Sequence, residues 1–251
     1  MSGRWLLILL CVLSCSAARA SESSMTPTQI RLASEEWSNY TAADGHGLAW
    51  DVLRAVFEPA GVTLQIRMVP YTRSVGLVQR GEVDAWVGSY REEVGGVLYP
   101  RWHYDYDHVY ALGLASNPAP TAATLGDYRL AWVRGYHYQN YFPNIHRFNE
   151  IQRRTGILPM LLYGRADYYI DALTEVDYVL GGAQNPALFR RTHLAELPVF
   201  LGFADNSKGR ALLTLFDQRM ELLVKSGQLR PIFERWKQPY PFEENSTPAV
   251  Q

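Results

Sequence analysis

The stretch QRGEVDAWVGSYREE, Gln79 to Glu93, decides the fold. Val83, Ala85, Trp86 and Val87 form a short apolar run between turn residues, the mark of a buried strand. Gly81 opens the run and Gly88 breaks it. Beyond Gly88 stand Ser89, Tyr90 and Arg91: a hydroxyl, an aromatic ring and a guanidinium in a row. A core strand that ends in such a trio is placed to present it to a ligand.

Reading outward, the elements before this strand alternate. Ile30–Ala33 predicts a strand that runs into a polar, aromatic loop, Ser34 to Thr41. Leu48 to Ala60 predicts a helix, because Val52, Leu53, Val56 and Phe57 recur at helical spacing and Gly61 stops it. Val62 to Met68 alternates like a strand, and Tyr71 to Gln79 reads as a short helix. The order β-α-β-α-β predicts a parallel α/β layer. After an extended segment at His108–Ala115, the Pro-rich stretch Ser116 to Thr121 reads as a domain junction.

The pattern then restarts. Strands are expected at Tyr128–Val133, Ala166–Ile170 and Leu197–Phe203, with helices at Leu158–Tyr163 and Asp171–Leu180. The clearest helix follows: Ser207 can cap it, and Leu212, Phe216, Met220 and Leu223 form its apolar stripe. A last short helix runs from Leu229 to Trp236, with Pro231 in its first turn. The Pro-rich tail from Gln238 is expected to be loose.

Length and composition agree with two modest α/β lobes. The chain has 251 residues, 47% hydrophobic and 20% charged, and a net charge of −1. No basic block points to nucleic acid. Met1 to Arg4 is a short basic start, Trp5 to Val12 an apolar run, and Ala18-Arg-Ala20 a cleavage pattern. Residues 1–20 therefore read as a secretory signal peptide, too short for a comfortable membrane span. Val12-Leu-Ser-Cys15 is a looser match to a lipobox, which Leu13 fits poorly. Cys11 and Cys15 both fall in the leader, so the mature chain would carry no disulfide.

The sequence contains no HExxH, GxSxG, Walker A or GxGxxG pattern, and after cleavage no thiol nucleophile. No cofactor is expected. Trp102 to His108 is the densest His/Asp cluster. On a strand His103, Asp105 and Asp107 would share a face that His108 would not, so no metal site is assigned there. Asn39-Tyr-Thr41 and Asn245-Ser-Thr247 match the short glycosylation sequon.

Two α/β layers joined by a narrow junction leave a cleft, and ligands bind beyond the carboxyl ends of the strands. The candidate site comes from those loops. The chain has 16 Tyr and 7 Trp, and Trp37, Tyr40, Tyr71, Tyr90, Tyr136 and Tyr138 fall where they could line the cleft. Arg91 and Arg73 are candidate clamps for a carboxylate, although Glu92 and Glu93 could instead pair with Arg91 at the surface. Asp171 could meet an ammonium group or cap the helix that follows. Micromolar binding needs about 8 kcal/mol, and a charged hydrogen bond supplies roughly 1.5–3 kcal/mol. One Arg is not enough, so Ser89, the backbone near Gly135 and the exclusion of water by closure would share the work.

Five short motifs occur in a familiar order. They are Gly47-Leu-Ala-Trp-Asp51-Val, Gln79-Arg-Gly81-Glu-Val-Asp84-Ala, Val133-Arg-Gly135-Tyr, Gly164-Arg-Ala-Asp167-Tyr and Ser226-Gly-Gln-Leu229 through Trp236. With them the chain resembles the bacterial periplasmic solute-binding proteins of the polar amino-acid type (extracellular solute-binding protein family 3), from about Ile30 to Trp236. The resemblance implies the type II periplasmic-binding fold: two α/β lobes, a ligand cleft and two crossover segments. Lobe 1 would hold residues 21–112 and 203–251, and lobe 2 residues 113–202.

The resemblance further implies a monomer in the periplasm. It would bind a small polar solute, an amino acid or a related carboxylate or amine, by lobe closure, and deliver it to an inner-membrane ABC permease. The solute's carboxylate would rest on an Arg of lobe 1 and on lobe 2 amides. Two alternatives share the scaffold: a dehydratase-type enzyme using Glu36, Asp171 or His137 as general acid, and a sensing module for a signalling partner. The chain is not expected to be an enzyme.

Overall fold

The structure, a computed structural model, describes residues 27–242. The expected signal peptide, its two cysteines, the lipobox-like stretch and the second sequon lie outside the described residues. In chain order come β1 (Gln29–Ser34), α1 (Leu48–Phe57), β2 (Thr63–Met68), α2 (Tyr71–Gln79), β3 (Ala85–Ser89), β4 (Val97–Leu98) and β5 (Asp105–Leu114). Then follow β6 (Leu130–Val133), β7 (Phe148–Ile151), α3 (Ile157–Leu162), β8 (Tyr168–Ala172), α4 (Leu173–Gly181), β9 (Phe189–Ala204), α5 (Ser207–Lys225) and α6 (Arg230–Trp236).

The strands run in the order β2-β1-β3-β9-β5-β8-β6-β7, with β4 against β9. In the first lobe β1 lies parallel to β2 and β3, with Leu32 opposite both Ile66 and Ala85. In the second lobe β6 lies parallel to β7 and β8. Two long strands join the lobes. β9 pairs with β5 from Phe189 to Val199, then with β3 from Phe200 to Phe203. The chain thus enters the second lobe on β5 and returns on β9, as the two-crossover fold requires. Pairing with the second sheet begins at Asp105, ahead of the boundary expected at 112.

Local physics accounts for the elements. Val52, Leu53, Val56 and Phe57 of α1 are fully buried, each worth roughly 1.5–3 kcal/mol. Phe57 meets Phe216 of α5 at 6.1 Å between rings. The cap of α5 is Asn206 rather than Ser207: its Oδ1 accepts from the Gly209 amide at 2.8 Å, and Ser207 is already helical. The Pro-rich stretch, expected as a junction, is anchored to neighbouring strands. The Tyr168 hydroxyl and the Arg190 guanidinium donate to the Pro118 and Asn117 carbonyls, which ties it to the second lobe. The start of the tail is packed rather than loose: Phe242 is buried and stacks on His103 at 4.8 Å.

Asp84, in the motif before β3, pins three elements. Its side chain is 1% exposed and accepts from the Arg31 amide at 2.8 Å, the Arg31 guanidinium at 2.7 Å and Lys208 Nζ at 2.6 Å. Burial raises the carboxyl's pKa, and the bonds from Arg31 and Lys208 outweigh that and hold it below the usual range. Asp84→Ala should cost about 2–3 kcal/mol and lower Tm by about 5–10 °C. A loss in chemical denaturation below about 1 kcal/mol would contradict this role.

Candidate functional site

A cavity of about 330 Å³ lies between the lobes. Three sets of groups line it. Trp37, Tyr40, Tyr71, Gly88 and Tyr90 come from the first lobe. Asp105, Asp107 and His108 come from β5, and Tyr136, Tyr138, Asp171 and Glu175 from the second lobe. Gly88, one residue before the end of β3, has φ 89°, and a Cβ there would stand 2.5 Å from the Trp37 ring. Only a bare backbone admits that ring.

Aromatic contacts cross the cleft. Tyr71 and Tyr136 meet edge to face at 5.4 Å, and Tyr90 meets Tyr141 at 4.7 Å. Trp37 Nε1 donates to the Tyr136 hydroxyl at 2.9 Å. A Cβ on Gly135 (φ 91°) would stand 2.4 Å from Thr72 Cγ2. The lobes are therefore in close contact around the cavity.

The floor is acidic. Arg154, in the turn after β7, is a half-buried basic group among these carboxylates. It lies 3.0 Å from both Asp171 and Glu175, reaches Glu35 across the cleft at 3.4 Å, and donates to the Tyr136 hydroxyl at 2.8 Å. Burial alone would favour its neutral form, but Asp171 and its neighbours hold the guanidinium charged. Glu35 in turn accepts from the Tyr71 amide at the start of α2, at 3.1 Å. Glu175 is pushed up to about 7 by burial, partly offset by Arg154. Its Oε1 has no hydrogen-bond partner among the described residues.

Asp105 and Asp107 lack even that compensation. No salt bridge reaches either of them among the described residues. Asp105 accepts from the Tyr106 amide at 2.8 Å, and Asp107 from the Tyr90 hydroxyl at 2.8 Å. Burial pushes Asp105 to about 8 and Asp107 to about 7, with repulsion from Asp107 and Asp171 respectively adding to the rise. The site is a negative, aromatic box with more acid than base.

Trp37, Tyr40, Tyr71, Tyr90, Tyr136 and Asp171, all expected from the sequence, come together on this cavity. Asp171 lies one residue before the end of β8 and faces Arg154; the residue that caps α4 is Ala172. The structure does not bring the other four candidates to the cavity. Ser89 donates to Glu93 at 3.0 Å, and Glu93 also accepts from the Tyr71 hydroxyl at 2.6 Å, so Ser89 orders the loop from beneath. The Gly135 amide is already committed to Glu150 at 3.1 Å.

Arg91 turns away. Its Nη2 donates to the Pro100 and Arg101 carbonyls, both at 3.1 Å, and its guanidinium lies 4.4 Å over the Phe200 ring. It pairs with neither Glu92 nor Glu93, because Glu93 is drawn inward by Tyr71 and Ser89. Arg73 is exposed on α2. Glu36 is exposed, its carboxylate spent on the Ala43 amide. The groups that sequence reasoning missed are Arg154, Glu175, Asp105 and Asp107. A signal existed for the last two: the sequence reading grouped them on one strand face but weighed only a metal there.

Comparison with protein-family models finds no match, and none of the curated proteins matches. Solved structures do. An amino-acid ABC transporter substrate-binding protein is 17% identical with TM-score 0.64, over 84% of this chain and 100% of that one. EhuB in complex with hydroxyectoine is 23% identical with TM-score 0.68, over 84% and 89%. A histidine kinase sensor domain similar to periplasmic binding proteins is 18% identical with TM-score 0.68, over 84% and 96%.

The carboxyl shifts carry a sign. A buried acid whose pKa is raised stabilises the fold fully below its ordinary value near 4, and that stability is lost as pH rises toward the folded value near 8. Asp105→Asn should therefore gain several degrees of Tm on the parent at pH 8.5 and little at pH 4.5. An equal difference at both values would mean that Asp105 is not held protonated. At the level of fold these neighbours bear out the resemblance read from the sequence: the chain has the type II periplasmic-binding fold of the amino-acid solute-binding proteins.

Proposed function

We propose that the protein binds a small solute carrying a positive charge, in the cleft between its lobes, and that the solute favours the closed form. One observation carries this reading: Asp105, buried, and Asp107, half-buried, face an aromatic box with no basic partner within salt-bridge reach among the described residues. A buried carboxylate without a counter-ion is costly, and a bound ammonium, amidine or guanidinium supplies one. Tyr90, Tyr136 and Trp37 add ring faces that attract cations. Arg235 and Lys237 also border the cavity, from the exposed end of α6, where an anionic end of a zwitterion could rest. The box suits the positive end of an amino acid or related amine better than a lone carboxylate.

Closure follows by population shift. A ligand touching β5 and both lobes binds the closed form better than an open one, and the difference sets the equilibrium. We assign the protein to the periplasm as a monomer that hands its solute to an inner-membrane ABC permease. The amino-acid transporter neighbour supports that assignment, and the sensor-domain neighbour supports a signalling partner as the alternative. A dehydratase-type activity has one observation in its favour: Asp107, at about 7, touches the cavity and is placed to move a proton near neutral pH.

Thermal-shift and calorimetric screening tests the reading. Diamines, quaternary amines, amidines and basic amino acids should stabilise the full chain, by about 2.7 kcal/mol at 100 times the dissociation constant. Neutral sugars and dicarboxylates should not. Affinity for a cation should fall as pH drops from 8 to 6, because the carboxyls near 7 and 8 become neutral. Asp107→Asn should weaken binding about tenfold or more and flatten that pH dependence. Tight binding of a dicarboxylate, or cation affinity unaffected by Asp107→Asn, would refute the proposal.

A further inference from the structure

The two crossover strands carry a second cluster, which meets the acidic box only at His108. His108 lies on β5 and is partly buried; His193 and Glu196 lie on β9 and are exposed. We propose that these three side chains form a site for a divalent transition-metal ion that fastens the two crossover strands to each other.

The geometry rests on a bulge. His108 is the cross-strand partner of Glu196, and Tyr110 is the partner of His193. The register shifts between Val109 and Tyr110, which leaves Leu194 as an extra residue on β9. On a regular strand, residues three apart point to opposite faces. The extra residue reverses that parity and brings His193 and Glu196 to one side. Alternation also turns His108 away from the face of Asp105 and Asp107, and so toward this pair.

The ligand atoms of all three lie within 4.8 Å of one another. His108 Nδ1 stands 3.3 Å from Glu196 Oε1. That separation matches the edge of a tetrahedron with bonds of about 2.0–2.1 Å, about 3.3 Å. The His193 ring packs edge-on against Tyr110 at 5.2 Å and stands 6.3 Å from the His108 ring, so its position is already restricted. Two imidazoles and one carboxylate suit Zn²⁺, Co²⁺, Ni²⁺ or Cu²⁺, and not Mg²⁺ or Ca²⁺, which take all-oxygen shells. Three protein ligands leave a fourth position open to water, and the exposure of His193 and Glu196 gives the ion a way in.

The site spans the strands that any movement of the lobes must turn on, close to the point where β9 changes partner. An ion there would lock the bulge register.

The test is calorimetric titration of the full chain with Zn²⁺, alongside the visible absorption of Co²⁺ as a reporter of coordination. The expected result is one ion per chain, a four-coordinate cobalt spectrum with nitrogen ligation, and no response to Mg²⁺ or Ca²⁺. His193→Ala and Glu196→Gln should each weaken Zn²⁺ binding at least tenfold and abolish the cobalt spectrum. Both residues are exposed, so both variants should keep the parent fold by circular dichroism. Absence of Zn²⁺ binding, or binding that survives both substitutions, overturns the site and leaves His108 and Glu196 as a plain ion pair.

Discussion

The charge imbalance around Arg154 constrains the rest of the site. One guanidinium, 11% exposed, stands among Glu35, Asp171 and Glu175, while Asp105 and Asp107 lie close by with no cation of their own among the described residues. Burying charge costs several kcal/mol per ion unless it is paired. Arg154 meets that cost for the second-lobe acids and, through Glu35, ties them to the first lobe. It cannot meet it for β5. The remaining cost appears as carboxyls that hold their protons up to about 7 and about 8.

This imbalance has a functional consequence because of where the fold puts it. β5 is one of the two crossover strands, so Asp105 and Asp107 sit at the base of the cleft, where the chain passes between the lobes. Trp37 and Tyr136, and Glu35 and Arg154, meet across the opening. The contacts that close the cleft surround it with apolar rings, and a low local dielectric strengthens each charge interaction inside. Solute charge and lobe closure are thereby coupled through the same few groups.

Much of the fold was legible because it depends on local pattern. The α1 periodicity, the alternation of β2 and the apolar run of β3 each report burial directly, and the five ordered motifs supplied the topology. Two strands were harder. β7 is exposed along most of its length, so it has no apolar signal. After Phe189, the first half of β9 holds only exposed and partly buried residues. Composition marks the Pro-rich turn but not which strands hold it.

The site was legible in its aromatics and illegible in its charges. Tyr and Trp after strands point to a cleft by position alone. Arg91 drew attention by standing after a strand, but a one-residue difference in direction sent it to Phe200 and two carbonyls. Arg154 sits in a polar turn, Gln152 to Thr155, where nothing in the sequence separates it from Arg153 beside it. Partnership between residues far apart in the chain, such as Glu35 with Arg154, is a tertiary fact.

The measurement that bears most directly on this account is carbon-detected NMR titration of the Asp105 and Asp107 carboxyls, free and saturated with the tightest cation. Free, both should titrate near neutral pH, well above an ordinary carboxylate. With the cation bound, both should fall by a unit or more, because a counter-charge then stands beside them. Titration near 4 in the free protein, or values that do not move on binding, would contradict the claim that this cleft is built to receive a positive charge.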